Sequence, residues 1–374
     1  MPEGWRINPT GYKTGNSALH KTHKMKLKTQ DLIEALNHLK PVISRRTTLP
    51  ILSCVKVHTE RNRLHLTASD LDQYQVEKIE CDGECEPFCV NFEHFFYAIG
   101  GEFSELKLGK EALTVTCDFG VTKLSTLGAE EFPSPPKCEG LKKVGVSCAD
   151  LAKAINLVSF AASVDPGQYV ICSVRIESKA KQLAAAATNG RELALVEMGL
   201  IGSDFSATIP VSFCANAASV LECDGAVLSV CDNHISVEHE SSKFYAKQVD
   251  GNYPNFRQVI PSKITKIGEV DVAAFRELVG RCLNYAVAKE AKGIFTFSKT
   301  GVQIDFAGQN NTTLSHNLPG QFSDFEIALN TRAIHNSLSH MKEERATLFH
   351  AGDNLSPITI QAGDLKILTM PMRT

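Results

Sequence analysis

The stretch VGVSCADLAKAINLV at 144–158 sets the pattern for the whole chain. An apolar strand end leads to Ser147, a residue suited to the helix N-cap, and then to apolar positions at helical spacing. The same order recurs in LKTQDLIEALNHL (27–39), CVNFEHFFYAI (89–99), TIPVSFCANAASVL (208–221), VDVAAFRELVGRCL (270–283) and IALNTRAIHNSLSHM (327–341). Thr29, Asn91, Ser147, Ser212, Asp271 and Asn330 take the capping position, where a side-chain oxygen accepts a hydrogen bond from an unpaired amide of the first turn. Successive caps stand about 60 residues apart, a spacing that marks repeated architecture.

After each helix come segments that alternate apolar and polar residues, such as ILSCVKVHTERNRLHLTAS (51–69), VICSVRIESKAKQLAAAAT (170–188) and GIFTFSKTGVQIDFA (293–307). Period-two alternation means strands with one buried face. The repeat is therefore a short strand, a helix and about three further strands, and two repeats share one core to make a domain. An α+β fold of three repeated domains follows, each with two helices on one face and sheets on the other. Pro, Gly and Ser cluster at EFPSPPKCEG (131–140) and VIPSKITKIG (259–268). The expected divisions are a disordered arm at 1–24 and domains at 25–136, 140–262 and 265–374.

Bulk properties narrow the function. The 374 residues are 43% hydrophobic and 22% charged, with no apolar run long enough for a membrane span. The first 24 residues, MPEGWRINPTGYKTGNSALHKTHK, are polar and basic and lack the apolar core of a secretory signal. Twelve cysteines scattered through a chain of this length fit reduced thiols in a cytoplasmic protein. Cys81, Cys85 and Cys89 read as a turn entering a strand, because no fourth ligand at zinc-type spacing stands nearby. A net charge of -3 argues against holding nucleic acid by bulk charge alone.

The sequence carries few marks of reactive chemistry. Gly109-Lys110 lacks the flanking residues of a phosphate loop, and neither a Gly-x-Ser-x-Gly elbow nor a paired-histidine metal motif is present. His335 and His340 lie on one helix but five apart, which reads as exposed helix histidines. Asp70 and Asp72 in ASDLDQY are expected to form a turn in which an aspartate bonds local backbone, not a pair for acid–base work. No catalytic set, cofactor motif or metal motif emerges, so shape rather than reactivity is being repeated.

Several strings resemble the bacterial DNA sliding clamp, the beta subunit of the replicative DNA polymerase III. Arg46-Thr-Thr-Leu-Pro-Ile-Leu52 is similar to the family's Arg-x-Thr-Leu-Pro-Ile-Leu, and Ala68-Ser-Asp-Leu71 to its Ala-Thr-Asp-Leu. Ala187-Thr-Asn-Gly-Arg-Glu-Leu193 resembles Ala-Thr-Asp-Gly-His-Arg-Leu, and VDGNYPNFRQVIP (249–261) follows Asp-Gly-x-Phe-Pro-Asp-Tyr with its closing Pro. Met370-Pro-Met-Arg373 resembles the family ending. The likeness runs from about Met25 to Thr374, in order and on the threefold repeat.

The resemblance implies a non-catalytic processivity factor. Two identical subunits would close head to tail into a ring of six similar domains around double-stranded DNA, with helices lining the hole. A closed ring holds DNA by topology and needs only weak phosphate contacts, which answers the charge puzzle. By position Arg46 is the expected DNA-contacting residue, with Arg45 and Lys40 beside it. The docking pocket for the polymerase catalytic subunit, the clamp loader, repair polymerases and mismatch-repair proteins would be lined by Thr188, Gly190, Arg191, Leu193, Pro254, Val259, Leu355, Pro357, Leu368, Thr369, Met370, Pro371, Met372 and Arg373. Methionines and aliphatics there would form an adaptable apolar groove for a short peptide with Leu and Phe anchors. Ring closure would bring strand residues near Leu124 to the end of a helix near Tyr285. No cofactor and no membrane contact are implied.

The chain also departs from the family pattern. Glu192 and Gln258 stand where arginines usually flank the pocket, Glu93 replaces a common basic residue, SFCANAASVL (212–221) carries no charge, and the arm before Met25 has no counterpart. A partner peptide of altered sequence and low DNA affinity of the bare ring are expected from these changes. Two other readings stand beside the clamp. One is a multi-domain α+β protein binding small ligands or lipids between its domains, and the other is an enzyme whose site is too dispersed to see in one sequence.

Overall fold

The strand–helix–three-strand order read from the sequence is what the chain builds. The computed structural model describes residues 23–44, 47–135, 142–144, 147–199, 203–221, 225–239, 241–286, 291–307 and 313–373. Among these residues lie 24 strands and six α-helices. The first repeat is β1 (His23–Lys28), α1 (Thr29–Leu39), β2 (Cys54–Glu60), β3 (Arg63–Ser69) and β4 (Gln73–Glu80). The second is β5 (Phe88–Asn91), α2 (Phe92–Ala98), β6 (Phe103–Leu108), β7 (Ala112–Cys117) and β8 (Gly120–Gly128). The third is β9 (Lys142–Val144), α3 (Cys148–Val158), β10 (Ser173–Lys179), β11 (Gln182–Thr188) and β12 (Glu192–Gly199). The fourth is β13 (Phe205–Pro210), α4 (Val211–Leu221), β14 (Val227–Val230), β15 (His234–Glu238) and β16 (Ser242–Lys247). The fifth is β17 (Thr265–Asp271), α5 (Val272–Leu283), β18 (Lys292–Ser298), β19 (Gly301–Ala307) and β20 (Thr313–Pro319). The sixth is β21 (Phe325–Asn330), α6 (Thr331–Ser339), β22 (Arg345–His350), β23 (Ile358–Ala362) and β24 (Leu365–Thr369).

These repeats form two compact bodies, one of residues up to Ala68 together with Lys78–Phe132, the other of Ser69–Glu77 and Pro133–Thr374. In the first body the strands are hydrogen-bonded in the order β1-β6-β7-β8-β5-β2-β3. Strand β8 serves two neighbours in turn: residues 120–125 pair with β7, and residues 126–128 with β5. The alternation seen in the sequence places Val55, Val57, Leu64 and Leu66 in the core with Leu32, Leu36 and Leu39 of α1 and Phe95 of α2, all buried.

In the second body β13-β10-β11-β12-β24-β23-β22-β17 make one eight-stranded sheet, and β20-β19-β18-β21 a four-stranded one. Residues 73–77 of β4 pair with β16, beside β15, β14 and β9. The joint at the middle of the large sheet pairs β12 with β24, Leu193 opposite Leu368 and Glu192 opposite Thr369. Helix α3 packs on α4, and α5 on α6.

Four of the six expected caps form. Asn91, Ser147, Asp271 and Asn330 each accept a first-turn amide through the side chain. Thr29 instead lies inside α1, where its buried hydroxyl bonds Gly100 O at 3.2 Å and Ser104 Oγ at 2.8 Å. Ser212 is also inside its helix: α4 starts at Val211, whose amide donates to Cys172 O, and the Ser212 hydroxyl accepts from Gln73 Nε2 at 2.9 Å. In both cases a partner distant in sequence outcompetes the cap.

Candidate functional site

Small residues on β11 help to floor a mainly apolar groove of the second body. The QLAAAAT strand presents only methyl groups at Ala184 and Ala186 on one face and Ala185 and Ala187 on the other. One face receives α3. On the other, Ala184 and Ala186 lie with Leu193, Leu195, Phe256 and Leu368 in a buried cluster against which Tyr253 and Ile260 pack. Above this floor opens a groove of about 280 Å³, lined by Ile171, Thr188, Gly190, Arg191, Glu192, Leu193, Pro254, Asn255, Phe256, Val259, Pro357, Leu368 and Met370.

One rim is the turn between β11 and β12. Asn189 Oδ1 accepts the amides of Arg191 and Glu192, both at 2.9 Å. The Thr188 hydroxyl accepts from Gly190 N at 3.1 Å and donates to Glu192 O at 2.6 Å. Gly190 sits at φ +84, a left-handed conformation that costs glycine little. The opposite rim follows Tyr253-Pro254-Asn255 into the short 3-10 turn Phe256–Val259, with Val259 half-exposed. The chain beyond β24 is pinned by Met370 N to Arg191 O at 2.9 Å, Met372 N to Ala328 O at 2.8 Å, and Lys292 Nζ to Arg373 O at 2.9 Å.

Nine of the fourteen residues expected at a pocket come together here: Thr188, Gly190, Arg191, Leu193, Pro254, Val259, Pro357, Leu368 and Met370. Leu355, exposed, and Thr369, buried, lie off the lining, as do Pro371, Met372 and Arg373. Ile171, Asn255 and Phe256 also line the groove, beyond the residues expected there. Asn255 and Phe256 stand within the family-like string VDGNYPNFRQVIP (249–261), whose position marks them in the sequence. Ile171 comes from the turn before β10, and nothing local in the sequence marks it.

Glu192 is 7% exposed, and its side chain leaves the groove face on which Leu193 lies. Its carboxylate accepts from Ser337 Oγ of α6 at 3.1 Å and from Asn189 Nδ2 at 3.3 Å. Burial pushes its pKa up, against the smaller opposing effect of those two hydrogen bonds. A carboxyl that binds its proton more tightly when folded loses stability as pH rises from the ordinary glutamate range toward the folded value. Glu192→Gln keeps both hydrogen bonds, because the Ser337 hydroxyl can accept from the new amide. The variant and parent are expected to unfold alike at about pH 4, with the variant the more stable toward about pH 7. Denaturant titration at both pH values tests this; a constant difference would contradict it.

Lys40 is exposed at the end of α1 with its ammonium 5.8 Å from the Phe96 ring centre, while Arg45 and Arg46 lie outside the described residues. Leu124 is 7% exposed on β8 and belongs to the core, whereas Tyr285, just past α5, is 45% exposed. Asp70 Oδ1 accepts the amides of Asp72 at 3.0 Å and Gln73 at 2.7 Å, which is the expected turn. Burial pushes the thiols of Cys85 up to about 11 and Cys89 up to about 12, so both are protonated near neutrality.

Comparison with solved structures gives the class of the fold. A crystal structure of the Pseudomonas aeruginosa sliding clamp bound to griselimycin superposes with a TM-score of 0.87 at 21% identity, covering 94% of this chain and 100% of that one. The Bacillus subtilis DNA polymerase sliding clamp superposes at 0.86 and 17% identity, covering 94% and 100%. The fold is that of a sliding clamp. The beta sliding clamps of Caulobacter vibrioides and Pseudomonas putida are 25% and 24% identical, over 94% and 93% of this chain and 100% and 99% of theirs. Residues 23–136 match the family DNA polymerase III beta subunit, N-terminal domain, and residues 145–255 its central domain. The chain belongs to the DNA polymerase III beta subunit family of bacterial sliding clamps, the processivity factors of replication.

Proposed function

We propose that the protein is a non-catalytic processivity factor in which two copies close head to tail into a ring around duplex DNA and dock other replication proteins in the groove beside Leu193 and Leu368. The family match across residues 23–136 and 145–255 carries this reading. Domains at 25–136, 140–262 and 265–374 supply three of six ring segments, with their helices toward the hole. Topology then holds the DNA, so a chain of net charge -3 can remain on an acidic polymer. Arg46, helped by Arg45 and Lys40, supplies phosphate contacts.

The groove suits a short peptide of the polymerase catalytic subunit, the clamp loader, or repair and mismatch-repair proteins. Leu193, Phe256 and Leu368 offer a buried apolar floor, and exposed Met370 and Val259 can adapt at its mouth. Ring closure joins the β8 region around Leu124 to the end of α5 at Tyr285, and exposed neighbours of buried Leu124 make the contact. No helix among the described residues is long and apolar enough to cross a membrane. The cytoplasm is the compartment proposed for this work.

Retention of labelled protein on nicked circular DNA, measured before and after one cut linearises the circle, tests the ring directly. Stable retention that disappears on cutting is expected. Retention indifferent to the cut would mean ordinary electrostatic binding and would sink the proposal.

A further inference from the structure

The hairpin of β2 and β3 brings together three side chains that no motif in the sequence connects. His58 and His65 are seven residues apart in the chain, yet they are direct cross-strand partners in the antiparallel register. Their ring centres are 4.8 Å apart, and Glu60 lies two residues beyond His58 on the same face. That face is opposite the one carrying Val57, Leu64 and Leu66 into the core.

We propose that His58, Glu60 and His65 bind a single divalent late-transition-metal ion, with zinc as the reference, clipping β2 to β3. One ligand atom from each lies within 4.8 Å of the others. Tetrahedral ligands at about 2.1 Å from zinc stand roughly 3.4 Å apart, so side-chain rotations moving donors by about 1 Å close the site. Two imidazoles and one carboxylate suit zinc, nickel or copper better than calcium or magnesium, which prefer all-oxygen shells. Water completes the coordination on the solvent side, where Glu60 is exposed.

A second observation points the same way. His58 Nδ1 is buried and makes no hydrogen bond. A buried ring nitrogen without a partner is costly, and a metal ion is one group that satisfies it. The surroundings also limit affinity. Lys56, Lys78 and Arg63 are close enough to act electrostatically on the two histidines, opposing a cation as Glu60 favours one. Glu60 is also 3.8 Å from Arg61, an exposed pairing that a metal must displace. Binding is therefore weaker than at a closed four-ligand structural site.

Calorimetric titration of chelator-stripped full-length protein with zinc is expected to show one equivalent per chain, accompanied by a rise in melting temperature. His58→Gln and His65→Gln should each weaken binding by at least the roughly tenfold that loss of an outer-shell partner can cost. Glu60→Gln, at an exposed position where the fold does not depend on it, should weaken binding and shrink the thermal shift, and serves if a histidine variant fails to fold. Cobalt in place of zinc should give visible bands without the intense near-ultraviolet band of thiolate ligation. No binding, binding unchanged in all three variants, or a thiolate band would each overturn the site.

Discussion

Phe256→Ala is expected to reduce the unfolding free energy by about 3–5 kcal/mol, the range for losing a large aromatic core side chain. The ring is 5% exposed and wedged among Ala184, Ala186, Leu193, Leu195 and Leu368. Its neighbours on β11 are alanines, which have no side chain to swing into the space, so the cavity term is close to complete. The ring also carries the Arg257 guanidinium 4.7 Å from its centre, and Arg257 in turn pairs with Glu177. Denaturant unfolding measures the loss; a change below about 1 kcal/mol would show that the turn collapses onto the sheet without the ring.

Docking of a Leu- and Phe-anchored peptide should disappear in the same variant, but that result alone would not separate a lost contact from a lost fold. Met370→Ala and Val259→Ala make the separation. Both side chains are exposed, at 43% and 51%, so stability should stay within about 0.5 kcal/mol while peptide affinity falls. A peptide that binds either variant as tightly as the parent would place the docking surface elsewhere.

Local grammar made the architecture legible, since a cap, a helical stripe and period-two strands are all written within about 20 residues. What the sequence hid was whatever depends on register between distant segments. Thr29 and Ser212 have the chemistry of caps, but Ser104 and Gln73 claim their hydroxyls across the fold. Leu124 alternates into the core, and only the pairing of Leu113 with Leu124 reveals which face of β8 is free. Ile171 reaches the groove because the turn before β10 folds beside it, and the hairpin register alone sets His58 beside His65. Of the residues expected from the family likeness, those in the strings that form the rims lie together at the groove, whereas Thr369, Pro371, Met372 and Arg373 lie off its lining. Strand alternation turns Thr369 away from Leu368, and hydrogen bonds of Met372 and Arg373 carry the chain off across Ala328 and Lys292.

Val121→Asp is expected to convert the dimer to monomer at micromolar concentration and to abolish retention on nicked circular DNA, with little change in subunit stability. Residues 120–125 of β8 pair with β7 on one side, and among the described residues the other side of this segment has no strand partner. Val121 is 64% exposed there, and Phe119, two residues earlier and just before β8, is 87% exposed. An unpaired strand edge with an exposed valine is a ready template for another chain. Strand β20 offers a matching feature in the fifth repeat, because it lies at the edge of its four-stranded sheet near the end of the repeat that carries Tyr285. A carboxylate at Val121 stays hydrated in the monomer but loses that water on closing the contact, so its cost falls on association and not on folding. In the proposed ring two such contacts form, so each ring would carry the penalty twice. Sedimentation of the variant as a folded monomer would support β8 as the seam; an intact dimer that still stays on the circle would remove this edge from the interface.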